Sequence, residues 1–141
     1  MMKADADYHF TIVGRNPEQG FLEELRGHEQ VTVIPNAENL SEQYYRHSLC
    51  IVPILSGSGS RLKIPEGLVH GCPVISTSIG AEGYHKSEIM GLEIADTSES
   101  FANAVKSIVY NKNPQRQSIR AYASEHFTWT NLIRPEQIEL A

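Results

Sequence analysis

The run Pro53-Ile54-Leu55-Ser56-Gly57-Ser58-Gly59-Ser60-Arg61-Leu62-Lys63-Ile64-Pro65-Glu66-Gly67 decides the reading of this 141-residue chain. An apolar, β-branched stretch over residues 49–54 leads into it, and helical spacing over residues 62–70, stopped by Gly71, leads out. A Gly/Ser loop between a buried strand and a helix lets the backbone approach a ligand, and the first-turn amides attract negative charge. Arg61 and Lys63 add two cations within that reach. Gly57, Ser58, Gly59, Arg61 and Lys63 are therefore candidate anion-binding residues, set against the alternative of a flexible loop with solvated charges. Glu66, in the first helical turn, either complements the helix dipole or accepts hydrogen bonds from vicinal hydroxyls of a ribose or sugar.

Outward from this run, strands and helices alternate. Apolar runs at residues 8–13, 31–34, 49–54, 73–77 and 92–95 are near-continuous, as expected of strands covered on both faces. Helical spacing links them: Phe21, Leu22 and Leu25 after Pro17; Leu40, Tyr44 and Tyr45 after Asn39, a plausible N-cap; and residues 98–110, with Phe101, Val105, Ile108 and Val109 on one face. A last helix is expected over 114–126, turning Ile119, Tyr122 and Ala123 inward, with loose ends at 1–7 and 130–141. The pattern predicts a single α/β domain: a Rossmann-like, doubly wound parallel sheet of about five strands with helices on both faces. Ligands in such sheets sit beyond the carboxyl ends of the strands. That rule adds Arg15, in Val13-Gly14-Arg15-Asn16-Pro17, as a cation able to reach an anion above the sheet, or else a solvated turn residue. It also points to Pro35-Asn36-Ala37 after the second strand and to Gly80-Ala81-Glu82-Gly83 after the fourth.

Charge narrows the ligand. The chain carries a net −5, the wrong sign for a protein that binds nucleic acid by releasing phosphate counterions. Residues 44–86 nevertheless hold Arg46, Arg61, Lys63 and Lys86 against only Glu66 and Glu82. A locally positive segment in an acidic chain suggests a small anionic ligand. No apolar run is long enough to cross a bilayer, and the first residues have no signal-peptide pattern, so the expected location is cytoplasmic. Cys50 and Cys72 read as small buried hydrophobes in a reducing compartment, Cys50 without a cation beside it. The histidines are not paired at metal-ligand spacing, and the nucleophile-elbow, dinucleotide and P-loop patterns are not matched.

Residues 10–129 resemble the C-terminal, donor-binding domain of retaining glycosyltransferases of family 4, the group 1 type. The resemblance is carried by Gly57-Ser58-Gly59-Ser60-Arg61-Leu62-Lys63-Ile64-Pro65-Glu66-Gly67-Leu68, Gly71-Cys72-Pro73-Val74-Ile75-Ser76-Thr77, Gly80-Ala81-Glu82-Gly83, Thr11-Ile12-Val13-Gly14-Arg15-Asn16-Pro17 and Phe127-Thr128-Trp129. It implies a GT-B enzyme in bacterial-type polysaccharide or glycolipid synthesis. Its donor substrate would be a nucleoside diphosphate sugar, with no further cofactor, no metal and no nucleic-acid partner. Arg61 and Lys63 would then neutralise the diphosphate with the loop amides, Arg15 would lie beside the phosphates, and the segment after Ile34 would border the base. Glu66 falls on the second glutamate of the family's Glu-x7-Glu pattern, expected at the ribose. Ser58 stands where the first is usual, so no carboxylate is assigned to the sugar hydroxyls, and no catalytic residue is assigned because the family's catalytic-base groups normally come from the other domain. Pro65 stands where a helix former is usual, which is tolerable where a helix begins.

The resemblance also implies that the family's N-terminal acceptor domain, and the first strand and helix of the donor domain, lie outside this chain. Five strands are then expected to close in the order 2-1-3-4-5, with a homodimer through an exposed sheet edge as a further expectation. On this reading the chain alone transfers little sugar. The alternatives are a non-catalytic nucleotide-sugar-binding or partner-dependent module, and a nucleotide-cofactor oxidoreductase domain.

Overall fold

All strands among the described residues pair in parallel, as the strand–helix alternation predicts. The structure is a computed structural model that describes residues 8–57, 61–84, 89–110 and 115–127. In chain order its elements are β1 (Phe10–Gly14), α1 (Gln19–Leu25), β2 (Val31–Pro35), α2 (Leu40–Arg46), β3 (Cys50–Val52), α3 (Lys63–Val69), β4 (Val74–Ser76), β5 (Leu92–Ile94), α4 (Ser98–Tyr110) and α5 (Arg116–His126). The loose ends expected at residues 1–7 and 130–141, together with Thr128 and Trp129, lie outside the described residues. The chain divides into two compact units, Met1–Leu40 and Ser41–Ala141.

In the first unit β1 pairs with β2, Phe10 opposite Val31 and Gly14 opposite Pro35. Just past each strand, Asn16 and Asn36 adopt left-handed backbone conformations (φ 46° and 54°), which asparagine tolerates better than most residues. The Asn16 amide donates to Asn36 Oδ1 at 3.1 Å, and the Asn36 amide donates to the Gly14 carbonyl at 2.7 Å. These bonds hold the two strand ends together. No described residue of this unit is buried.

The second unit holds the core. Its sheet runs β3-β4-β5, with Cys50 opposite Val74 and Val74 opposite Leu92. Only the central strand β4 is buried at every position. Val52, Ile64, Leu68, Val74, Ala81, Ile89, Ile119 and Ala123 form the apolar cluster, drawn from β3, α3, β4, α5 and the loop between β4 and β5. Helix α3 lies so close to the sheet that a Cβ on Gly67 would stand 2.8 Å from Val74 Cγ2. That proximity explains a glycine inside a helix, where it costs about 1 kcal/mol relative to alanine. Gly71 ends α3 with φ +69°, and a Cβ there would strike the Arg116 carbonyl oxygen at the start of α5. From that position the Arg116 guanidinium donates to the Tyr44 carbonyl at 2.7 Å and the His47 carbonyl at 2.9 Å. It thus caps the carboxyl end of α2, where unpaired carbonyls and the dipole favour a cation. Helix α4 starts with reciprocal bonds between Thr97 and Ser100: the Ser100 amide to Thr97 Oγ1 and the Thr97 amide to Ser100 Oγ, both 3.1 Å. This is a capping box with serine in the usual glutamate position.

Within each unit the expected neighbours are found: β1 beside β2, and β3-β4-β5 in that order. The strands β3 and β4 are shorter than their apolar runs: residues 49–54 contribute only Cys50–Val52, and residues 73–77 only Val74–Ser76. Pro65 falls in the first turn of α3, where its missing N–H breaks no helical hydrogen bond.

Candidate functional site

Two buried hydroxyls organise the carboxyl ends of the second unit's strands. Ser76 Oγ lies within hydrogen-bond distance of the Val52 carbonyl (3.2 Å) and the Thr77 carbonyl (3.0 Å). Thr77 Oγ1 donates to the Ile54 carbonyl at 2.5 Å and accepts from the Gly80 amide at 3.0 Å. The end of β3 is thereby tied to the loop after β4. On the other side, Asp96 after β5 accepts from the Ser78 amide (2.7 Å) and the Ser78 hydroxyl (2.5 Å). Those two bonds, the hydroxyl's first, hold the Asp96 carboxyl below its ordinary range. The loop carrying Gly80-Ala81-Glu82-Gly83 is therefore fixed at its base from both neighbouring strands.

Arg61 lies across the mouth of this arrangement. Its Nη2 donates to the Gly57 carbonyl at 2.9 Å and to Glu82 Oε2 at 3.2 Å. The Arg61 side chain is only 8% exposed, whereas that of Glu82 is 70% exposed. The guanidinium thus joins the loop after β3 to the loop after β4 from beneath, with the carboxylate on the solvent side. Lys63, exposed, is the first residue of α3. Its charge acts on the Cys50 thiol, correcting the reading that no cation stands near that cysteine. Burial outweighs it, however, and with Cys72 and Glu66 nearby the Cys50 thiol is pushed up to about 12. Cys72, fully buried, is pushed up to about 11 by burial against the opposing charge of Arg116. Both stay protonated, non-nucleophilic thiols at neutral pH. Cys50 itself is only half-buried, not fully buried as expected.

Glu66 is half-buried and engaged from α2. The Tyr44 hydroxyl donates to Glu66 Oε2 at 3.2 Å. Burial first, then the negative fields of neighbours including Glu66, hold that phenol well above its ordinary value, so it remains a donor. The Tyr44 ring stacks on His70 (centroids 5.1 Å apart, planes 19°). His70 Nδ1 is 2.7 Å from the Glu66 carbonyl, and His70 Nε2 is 2.8 Å from Ser41 Oγ. A carbonyl only accepts, so Nδ1 carries a proton towards Glu66.

The sequence-derived residues thus fall into three places. Gly57 and Arg61 meet directly, and Lys63 and Glu66 share one turn of α3 at a spacing of three. Arg15, exposed just past β1 beside the Asn16–Asn36 contact, belongs to the first unit. Ser58 and Gly59 lie outside the described residues. The first-turn amides contribute less than the loop pattern suggests. The Ile64 amide bonds to the Arg61 carbonyl and the Glu66 amide to the Leu62 carbonyl, while Pro65 has none. Helix α3 spans only seven residues and has no side-chain cap. Attraction for an anion in the described part of this site therefore rests on side chains. The sequence singled out the segment that carries Glu82 but not its pairing with Arg61, which follows because residues just past adjacent parallel strands become neighbours; Tyr44 beside Glu66 was missed. Tyr44 gave no signal beyond its place on the inward face of α2.

Among the described residues, no cluster of histidine, cysteine and carboxylate side chains could hold a metal ion, and no helix is long and apolar enough to cross a membrane. Residues 1–111 match the family described as "Glycosyl transferases group 1". A Klebsiella pneumoniae protein named "Uncharacterized 44.6 kDa protein in cps region" is 32% identical over 121 residues, which cover 80% of this chain and 30% of that protein. The chain thus spans about a third or less of that relative's length. No solved structure gives a match.

Proposed function

The chain belongs to the group 1 glycosyl transferases, and on that premise we propose that its second unit holds the diphosphate of a nucleotide-sugar donor. The observation that carries this reading is the fixed position of Arg61. A guanidinium held by a backbone carbonyl (2.9 Å) at the end of β3 stands where ligands bind in parallel α/β sheets. Lys63, two residues on at the start of α3, supplies a second and exposed cation. As the glycosidic bond breaks, the departing nucleoside diphosphate gains negative charge. Cations fixed beforehand stabilise that charge more than they stabilise the bound donor, and only this difference accelerates the step.

Glu66 is assigned to the ribose hydroxyls, where Tyr44 orients its carboxylate and leaves the second oxygen to accept from the sugar. The full enzyme is a retaining GT-B hexosyltransferase acting at the cytoplasmic side on a polysaccharide or glycolipid acceptor, which a separate acceptor domain binds. The 141-residue chain alone binds the donor nucleotide and transfers little.

Calorimetry of the whole chain with UDP, GDP, ADP and NAD tests this reading. One nucleoside diphosphate should bind more tightly than NAD. Tighter binding of NAD than of all three would replace the transferase reading with that of a dinucleotide-binding domain.

A further inference from the structure

The Arg61–Glu82 pair is lopsided in a way that a purely structural ion pair need not be. The guanidinium is nearly buried and also anchored by the Gly57 carbonyl, while the carboxylate stands in solvent on a loop whose base is pinned through Ser78 and Gly80. If the pair opens, Arg61 cannot follow Glu82 outward, whereas Glu82 can swing away at little cost. An exposed carboxylate pairing with a cation contributes little to stability, so the contact is easily exchanged. We propose that the Glu82 carboxylate occupies the place of a ligand phosphate on Arg61, and that an incoming diphosphate displaces it. Glu82 thereby keeps the buried guanidinium paired in the free chain and sets a threshold that only a multiply charged anion overcomes. This rests on the reading of Arg61 as a phosphate-binding residue.

The exchange has a definite sign. Removing the Glu82 charge removes both the competitor and its repulsion of the ligand, so Glu82→Gln should tighten anion binding. A residue that merely braced Arg61 would do the opposite when removed. The probe is inorganic pyrophosphate, titrated calorimetrically into the whole chain and into E82Q and E82A. Glu93→Gln, at an exposed position on β5, controls for net charge. Binding should tighten about fivefold in E82Q, the equivalent of ~1 kcal/mol, with E93Q unchanged and R61Q/E82Q no tighter than R61Q.

Unchanged or weaker binding in E82Q and E82A, with a nucleoside diphosphate still bound by the wild-type chain, overturns the exchange and leaves the donor reading intact. Tighter pyrophosphate binding in E82Q with no nucleoside diphosphate preferred over NAD supports the exchange and removes the donor reading. If neither pyrophosphate nor any nucleoside diphosphate binds the wild-type chain or E82Q, Arg61 has no phosphate role and both fall.

Discussion

Replacing Gly80 with alanine probes the base on which the candidate site is built. A Cβ at this position would meet the Ser76 hydroxyl oxygen first, with the Val52 carbonyl oxygen at 2.9 Å and Thr77 Oγ1 at 3.2 Å. None of the three can step back freely. Ser76 and Thr77 are buried, and their hydroxyls bond to the carbonyls of Val52 and Ile54 at the end of β3. Forcing a methyl into a packed site costs about 1–3 kcal/mol, and detaching a buried hydroxyl from its carbonyl costs about 1–3 kcal/mol more. The variant should therefore lose roughly 2–6 kcal/mol, read as a fall of about 1–3 M in the urea midpoint, at a slope of about 2 kcal/mol/M, followed by circular dichroism.

Ser76→Ala supplies the decisive partner, because it removes the atom that the new methyl would strike first. Ser76→Ala alone should cost about 1 kcal/mol for its lost hydrogen bond. The double variant should then be more stable than the sum of the two losses by about 1–2 kcal/mol. If Gly80→Ala costs under about 1 kcal/mol, or the two effects add within ~0.5 kcal/mol, the close approach of Gly80 to the end of β3 is wrong. The attachment of the Glu82 loop would then have to be explained another way.

Other perturbations separate binding from folding. Arg61→Ala should weaken UDP binding about 10- to 150-fold, the worth of one charge-assisted hydrogen bond, with uridine binding little changed; equal losses by calorimetry would remove Arg61 from the phosphate role. Arg116→Ala should lower stability by about 2–3 kcal/mol through the two uncapped carbonyls of α2, and Arg116→Lys should recover only part, since one ammonium does not reproduce the fork; full recovery in urea unfolding would contradict the capping geometry. Burial raises the folded-state values of Cys50 and Cys72 to about 12 and 11, so their contribution to stability is complete below the unfolded thiol value near ~8.5. It is lost as pH rises from there through about 11 and then 12, so urea midpoints should fall over that range, and should fall less in the Cys50→Ala/Cys72→Ala variant. At pH 8 both thiols should resist iodoacetamide until urea is added, as followed by mass spectrometry.

The order of elements was legible because each apolar run is short, β-branched and separated from the next by a helical period. The helix at Ser98–Tyr110 was read to its bounds, its apolar spacing being long enough to leave no ambiguity. Strand lengths were not legible. In residues 49–54 and 73–77, apolar side chains continue past the last ladder bond because the strand ends, too, pack inward. Ile54 leans on the core beyond β3, and Thr77 is buried beyond β4 for its hydroxyl rather than for its methyl.

The site itself was legible as a set of residue types but not as a set of partners, and the partners change its physics. Counted along the sequence, Arg61 and Lys63 make a doubly positive cradle at a helix start. In the folded chain Arg61 is already neutralised by Glu82, 21 residues away, and Glu66 is already engaged by Tyr44, 22 residues away. The paired Arg61 therefore does little to draw an anion from a distance, since opposite charges a few ångströms apart cancel beyond that range, which leaves that attraction to the exposed Lys63. On the donor reading, the Glu82 and Tyr44 contacts add short-range selectivity. A ligand must offer Arg61 more than one carboxylate offers, and must offer Glu66 hydroxyls better placed than that of Tyr44. A singly charged anion without vicinal hydroxyls meets neither condition, whereas a diphosphate joined to a ribose meets both.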